Sequence, residues 1–166
     1  MEYSIDIGGL RGLEAALARA PAIVREELEA AVTEADVLLA REVREHMPTA
    51  QGTLRASVFH EETVSGLVVT GFVGSPLAYA APVELGTRPH FPPVDALIDW
   101  VRIRFGISGD KEARGVAFLV ARKIARKGTK PQRPFGLAFQ AQEQAVRRIF
   151  ERAAANIAAR AVGGEA

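Results

Sequence analysis

One continuous apolar stripe constrains this chain more than any other feature of its sequence. From residue 22 to residue 47, apolar side chains recur every three or four residues over about seven helical turns. Charged residues such as Arg25 and Glu29 lie between them, on the opposite face. Pro48 follows directly and cannot continue a helical hydrogen-bond ladder. The pattern predicts a long amphipathic helix over residues 22–47, which buries Val24, Leu28, Val32, Ala35, Leu39, Val43 and Met47.

Shorter patterns on both sides of this helix predict the first half of the fold. Residues 9–20 are typical of a short helix with Leu10, Leu13 and Leu17 on one face, and Pro21 then suits the first turn of a new helix. Alternating apolar residues over 54–59 and 67–74, on either side of Ser65-Gly66, predict a β-hairpin. Residues 78–85 are read as a short helix or an irregular strand that ends at Gly86.

Three further helices are predicted in the second half. One begins after Pro92-Pro93 and ends before Gly106, a basic helix covers about 111–127 and ends before Gly128, and a long last helix covers about 136–161. Their inward positions are Leu97, Ile98, Val101 and Phe105 in the first, Ala113, Ala117, Val120 and Ile124 in the second, and Ala141, Ala145, Ile149, Ala153 and Ile157 in the third.

Together these elements predict an α+β fold. It consists of a long amphipathic helix packed on a small antiparallel β-hairpin or sheet, an inserted helical pair and a long C-terminal helix. We expect one domain over residues 1–162, with the helical insertion at about 89–130 and a flexible tail at 163–166. The 29 alanines in 166 residues favour helices that pack closely.

Composition limits the possible functions. The chain has no cysteine, which excludes disulfides and thiol chemistry, and no apolar run approaches the ~20 residues of a membrane helix. We therefore expect a soluble protein without membrane contact. The three histidines have no metal-ligand spacing, and Glu84 is a lone carboxylate, whereas acid–base catalysis usually needs a second tuned group. The sequence predicts no enzyme, no cofactor and no metal.

Charge is strongly segregated along the chain. Residues 1–99 hold 15 acidic and 7 basic residues, a net charge of −8, whereas residues 100–166 hold 14 basic and 5 acidic residues, a net charge of +9. Such asymmetry is informative about partners rather than about fold. The simplest interpretation is a solvated helix face. The alternatives are contact with nucleic acid or docking on the acidic half of a neighbouring copy, and the candidate residues are Arg114, Arg122, Lys123, Arg126, Lys127 and Lys130.

Three loop motifs carry a family resemblance. The first motif is residues 48–57 (PTAQGTLRAS), the second is residues 73–88 (VGSPLAYAAPVELGTR), and the third is residues 130–135 (KPQRPF), which a helix follows. Their order and context resemble the tail-component or tail-completion proteins of long-tailed phages, similar in role to the lambda minor tail protein Z group. The match spans about residues 22–160, and the second motif is the most specific part of it. About 45 residues separate Gly86-Thr87 from Pro134-Phe135, which is an insertion relative to compact members.

The resemblance implies a structural virion protein of the phage tail or neck, assembled in the host cytoplasm. It implies a homo-oligomeric ring at the head–tail junction or tail end, with six copies expected from tail symmetry, and with other neck and tail proteins as partners. Non-specific contact with the double-stranded genome is a further candidate interaction. The alternative from a different class is a DNA-binding regulatory protein that uses the basic helix at 111–130.

Overall fold

The computed structural model describes residues 8–48 and 52–162 and confirms the α+β class. The described part contains a two-stranded antiparallel sheet among helices, with long helices near both ends. In chain order the elements are α1 (Gly8–His46), α2 (Gly52–Ala56), β1 (Phe59–Ser65), β2 (Val68–Gly74), α3 (Ala80–Leu85), α4 (Asp95–Phe105), α5 (Asp110–Lys127) and α6 (Pro134–Val162).

The contacts within the chain form two compact units. The first unit contains the chain up to Leu39, the hairpin residues His60–Val73 and the chain from Gln142 onward. The second unit contains Ala40–Phe59 and Gly74–Ala141, and therefore holds α2 to α5. The expected single domain over 1–162 stays a prediction, and the predicted flexible tail at 163–166 lies outside the described residues.

Helix α1 confirms the apolar stripe and corrects the position of its start. The stripe is buried from Val32 to Met47, and it is half-buried at Val24 and Leu28. The two predicted helices at 9–20 and 22–47 are one helix, with Pro21 inside it. Proline has no amide hydrogen to donate, and its ring crowds the carbonyl four residues earlier. The resulting loss of stability is local, and the hydrogen bonds and packing of the neighbouring turns can outweigh it. The side chains of Leu10, Leu13 and Leu17 lie outside the described part.

In the first unit, α1 and α6 run antiparallel and share a small-residue core. Ala31 and Ala35 pack with Ile149 and Ala153, and Leu38 and Val146 border this cluster. Ion pairs flank the core: Arg160 contacts Glu26 at 2.8 Å and Glu27 at 2.7 Å, and Arg152 pairs with Glu34. The alanine side chain is a single methyl group, so the two helix axes can approach closely. Its burial also costs almost no side-chain entropy.

The predicted hairpin exists, but its first strand was placed too early. The strands pair on either side of a turn at Gly66-Leu67, and β1 begins at Phe59. Residues 52–56 form a helix instead of a strand. Leu54 and Val58 are buried while Ala56 is exposed, so the alternation of buried and exposed residues that a strand requires is absent here.

In the second unit, α4 and α5 form the predicted helical pair. Val101, Ala113 and Ala117 are fully buried between them, and Leu97 and Val120 pack at the edge. Phe105 was predicted to point inward but is exposed, where its ring packs edge-to-face on Trp100 at a centroid distance of 5.9 Å. Gly106 and Gly128 follow α4 and α5 with positive φ, as predicted for C-terminal caps.

In α6, Ala141 is exposed, whereas Ile149 and Ala153 are buried as expected.

Asp36 is the one buried charged residue of the described chain, and it lies in α1 against β2. The amide of Phe72 donates to its carboxylate, while Oδ2 has no hydrogen-bond partner. A Cβ at Gly71 would overlap the carboxyl group of Asp36, so any larger residue there would displace that side chain. Burial raises the pKa of Asp36 above its usual 3.8, and the nearby Glu62 raises that pKa further, whereas His60 and the Phe72 amide oppose the shift.

We predict that Leu39→Ala lowers the free energy of unfolding by about 2–5 kcal/mol, since Leu39 is buried and its truncation leaves a cavity. The matched control is Val37→Ala on the same helix, where the side chain is 50% exposed and the loss should be well below 1 kcal/mol. Urea unfolding measures both. An unchanged midpoint for Leu39→Ala would contradict core burial.

We predict a pH-dependent contribution from Asp36. Because its folded pKa lies above its unfolded pKa, this group stabilises the fold most below about pH 4 and loses that contribution as pH rises through the folded pKa. Asp36→Asn, which keeps a carbonyl acceptor for Phe72, should therefore gain in stability relative to wild type between pH 4 and pH 7. Urea unfolding across this range measures the difference. A difference that stays constant with pH would refute the assignment.

Candidate functional site: the junction of the motif loops and the basic surface

The first and second motifs are connected by a pair of serine hydroxyls in the second unit. Ser57 and Ser75 lie 2.7 Å apart through their Oγ atoms, and Ser57 Oγ also lies 2.7 Å from the Leu54 carbonyl. Ser75 Oγ accepts from the Leu77 amide at 3.2 Å. The side chain of Leu54 is fully buried. Residues separated by 18 positions therefore hold the end of the first motif against the start of the second.

The second and third motifs are connected by the carboxylate of Glu84. Its Oε2 accepts from the Phe135 amide at 2.9 Å, and its Oε1 accepts from the Gly136 amide at 3.0 Å. These amides belong to the first turn of α6, where no intrahelical partner exists for them. A negative group is also favoured there by the helix dipole. Glu84 is thus a helix cap that reaches across about 50 residues of sequence, and its carboxylate is engaged by two donors.

Backbone contacts extend this connection on both sides. The Gln132 amide donates to the Val83 carbonyl at 2.9 Å, and Thr87 and Thr129 exchange amide–carbonyl hydrogen bonds of 3.1 and 3.2 Å. Two glycines make the approach possible. Gly86 and Gly128 have φ of 71° and 66°, and a Cβ on Gly128 would collide with the Thr87 carbonyl. We call the region joined by these contacts the motif junction; its key residues are Ser57, Ser75, Glu84, Thr87, Thr129, Phe135 and Gly136.

The sequence-predicted basic residues do not all occupy the same environment. Arg114 pairs with Asp95 at 2.8 Å, so its charge is partly compensated. The other five are exposed, and none of them forms an ion pair or hydrogen bond with a side chain in the described part of the chain; they are Arg122, Lys123, Arg126, Lys127 and Lys130. They project from the C-terminal half of α5 and from the loop after it.

Two further bases join this set, and sequence reasoning missed both. The Thr87–Thr129 bridge brings the backbone of Arg88 beside Gly128, within 3.0 Å of where a Cβ would stand. Arg133 follows in the same loop with an exposed side chain and a φ of 55°, which is uncommon outside glycine. A glycine flanking each bridge residue was the available signal for a close loop approach. We define the basic surface as Arg88, Arg122, Lys123, Arg126, Lys127, Lys130 and Arg133.

An apolar patch lies next to the basic surface. Phe91 and Phe118 pack edge-to-face at 6.0 Å, yet they are 54% and 49% exposed, and the adjacent Leu119 is 60% exposed. On α5, Phe118, Arg122 and Arg126 form one row at intervals of four, and Leu119, Lys123 and Lys127 form a second. Each row therefore changes from apolar to basic toward the C-terminus of the helix. Exposed aromatic and aliphatic groups of this kind are typical of a protein contact.

Two other observations bear on the chemistry of the described residues. Nowhere in the described ranges do three histidine, aspartate or glutamate side chains cluster so that they could hold a metal ion. None of the described helices is long and apolar enough to cross a membrane.

Comparisons with family models, with curated proteins and with solved structures find no match to this chain.

We predict that Glu84→Ala lowers the free energy of unfolding by about 1–2 kcal/mol, because two amides at the start of α6 lose their acceptor. Glu84→Gln keeps one carbonyl oxygen and should lose less. Thermal unfolding measures the stability of both variants. In Glu84→Ala, amide hydrogen exchange should accelerate more at Phe135 and Gly136 than in the rest of α6. Equal exchange rates in wild type and Glu84→Ala would contradict the capping role.

Proposed function

We propose that this chain is a structural virion protein of a tailed phage, which forms a ring at the head–tail junction or at the tail end as a tail-completion or connector component. The observation that carries the proposal is the motif junction. The three motifs that resemble the phage family lie far apart in sequence, yet Ser57–Ser75 and Glu84–Phe135 join them in one unit. A signature whose residues hold loops together suits a structural protein, since its polar groups are used for positioning.

Exposed apolar groups support an assembled state. The apolar patch of Phe91, Phe118 and Leu119 leaves about half of each side chain in water in the single chain. A second copy or a neighbouring tail protein that covers such groups gains the free energy of removing them from water. The opposite charges of the two halves of the chain favour head-to-tail contacts between copies, which close into rings. We propose six copies, assembled in the host cytoplasm.

The second candidate is a DNA-binding regulatory protein that uses the basic helix. Its support is the same unpaired set on α5, namely Arg122, Lys123, Arg126 and Lys127. The pI of about 8.2 favours this candidate less than the virion protein, because dedicated nucleic-acid-binding domains usually exceed a pI of ~9. This candidate predicts protein in the host cell and none in the particle.

The test is the protein content of the particle. Virions of the phage that encodes the chain are purified on a density gradient and analysed by quantitative mass spectrometry against the major tail protein. We predict that the chain is present at a few copies per particle, consistent with one ring. Detection in the infected-cell lysate together with absence from the particle would reject the structural role and favour the regulatory protein.

A variant makes the test specific for the apolar patch. In a phage lacking the gene and complemented in trans, Leu119→Ser should reduce incorporation strongly, because it removes an exposed apolar contact without disturbing the buried face of α5. Lys111→Ser on the same helix is the matched control and should be incorporated as well as wild type. Equal incorporation of both would mean that the patch is not a contact in the particle.

A further inference from the structure

Basic residues inside and outside the basic surface differ in their partners. Elsewhere in the described chain most arginines are neutralised: Arg25 pairs with Glu29, Arg102 with Asp110, and Arg147 with Glu143. The ion pairs of Arg41, Arg114, Arg152 and Arg160 follow the same rule. From Arg122 to Arg133, by contrast, six basic side chains are exposed and no described side chain pairs with them.

The segment of sequence that carries most of the basic surface contains no acid of its own. Residues 113–142 contain seven basic residues and not one aspartate or glutamate. Each acid that pairs with a base of α4 or α5 lies at or before residue 112, as Asp95 and Asp110 do. Like charges at intervals of four on a helix repel one another, so this arrangement lowers the stability of the helix slightly. An anionic partner would supply the missing compensation.

The composition of the surface distinguishes between two anionic partners. Protein contacts place aromatic and aliphatic groups at their centre, with charges at the rim. No large apolar side chain between residues 120 and 136 is among the exposed ones, since the exposed set jumps from Leu119 to Leu137. Over residues 120–136, closely spaced and flexible positive charges without an apolar centre match a regular polyanion better than an acidic protein.

We propose that the basic surface binds the phosphate backbone of duplex DNA without reading its sequence. The bases of Arg122, Lys123, Arg126 and Lys127 project from the last turns of α5, and Lys130, Arg133 and Arg88 continue the positive surface across the Thr87–Thr129 bridge. Helix α5 carries no asparagine or glutamine, the side chains that bind the edge of adenine, and the basic segment at 122–133 has no aromatic ring on which a single-stranded base could stack.

A nucleic-acid partner for the structural subunit rests on the proposed function and extends it. The set of contact residues also differs from the set predicted from sequence. Arg88 and Arg133 are included because the motif junction places them beside Gly128 and before α6. Arg114 is excluded because its guanidinium pairs with Asp95. The two proposals fail separately: absence from the particle overturns the structural role, whereas failure to bind DNA overturns only this one.

The experiment is a fluorescence anisotropy titration of the full chain with two 30-base-pair duplexes of unrelated sequence, at several salt concentrations. We predict equal affinity for both duplexes and a linear fall of log K with log salt concentration. The variant Arg122→Gln, Lys123→Gln, Arg126→Gln, Lys127→Gln should weaken binding at low salt at least tenfold. The salt slope should fall by about 3–4, at ~0.9 for each phosphate contact that is lost.

A charge-matched control separates local contact from total charge. The variant Arg25→Gln, Arg41→Gln, Arg147→Gln, Arg148→Gln removes the same four charges from exposed positions of α1 and α6. It should bind DNA with a nearly unchanged slope. Arg88→Gln alone should reduce the slope by about 1, and Arg114→Gln should not change it. Circular dichroism confirms that each variant is folded.

Three outcomes would overturn the proposal. Wild-type protein that does not bind either duplex at low salt contradicts it directly. Equal losses in the test variant and the charge-matched control would reduce the effect to net charge. Binding of poly-glutamate at the same affinity and slope as DNA would identify an acidic protein, such as a neighbouring copy, as the partner that the surface fits.

Discussion

The second unit depends on one interaction, the capping of α6 by the carboxylate of Glu84. Pro134 begins the helix and has no amide hydrogen to donate. The next two amides without an intrahelical partner are those of Phe135 and Gly136, and the carboxylate of Glu84 accepts from both. The carbonyl of the same residue accepts from Arg133 at 3.3 Å. One glutamate therefore fixes both the start of the helix and the loop before it. A charged acceptor is stronger than a neutral cap, and this suits a contact that closes a loop of about 50 residues.

Long periodic elements of the fold were predictable because burial of one face decides them. The stripe of α1 continues over so many turns that a strand period cannot imitate it, and the cap glycines of α4 and α5 are decided by backbone sterics. Residues 54–59 are too few for this argument, since Leu54 and Val58 fit both a period of two and a period of four. The break predicted at Pro21 was wrong for a different reason. The steric effect of a proline predicts a local break, but it does not include the stability that the rest of the helix provides.

The candidate site was predictable only where a property belongs to a single element. Helix α5 alone determines that Arg122 and Arg126 share a face, so the helix period is sufficient to group them. The compensation of Arg114 depends on the distance to Asp95 across a helix pair, and the approach of Arg88 depends on a bridge between residues 42 apart. Glu84, interpreted as a lone carboxylate, has its role set by two amides about 50 residues away. Pairwise distances of this kind are consequences of the fold, and no local pattern encodes them.

The arrangement of α5 connects the two proposals physically. Its exposed rows change from Phe118 and Leu119 to four bases within three turns, so a copy that covers the apolar end leaves the basic end beside the contact. In a ring, each subunit would then present its basic surface at the same radius and height. Several weak phosphate contacts on one duplex act at a high effective concentration, so a modest affinity per subunit is sufficient. Because each contact is electrostatic and reads no sequence, DNA could still slide past the assembled ring.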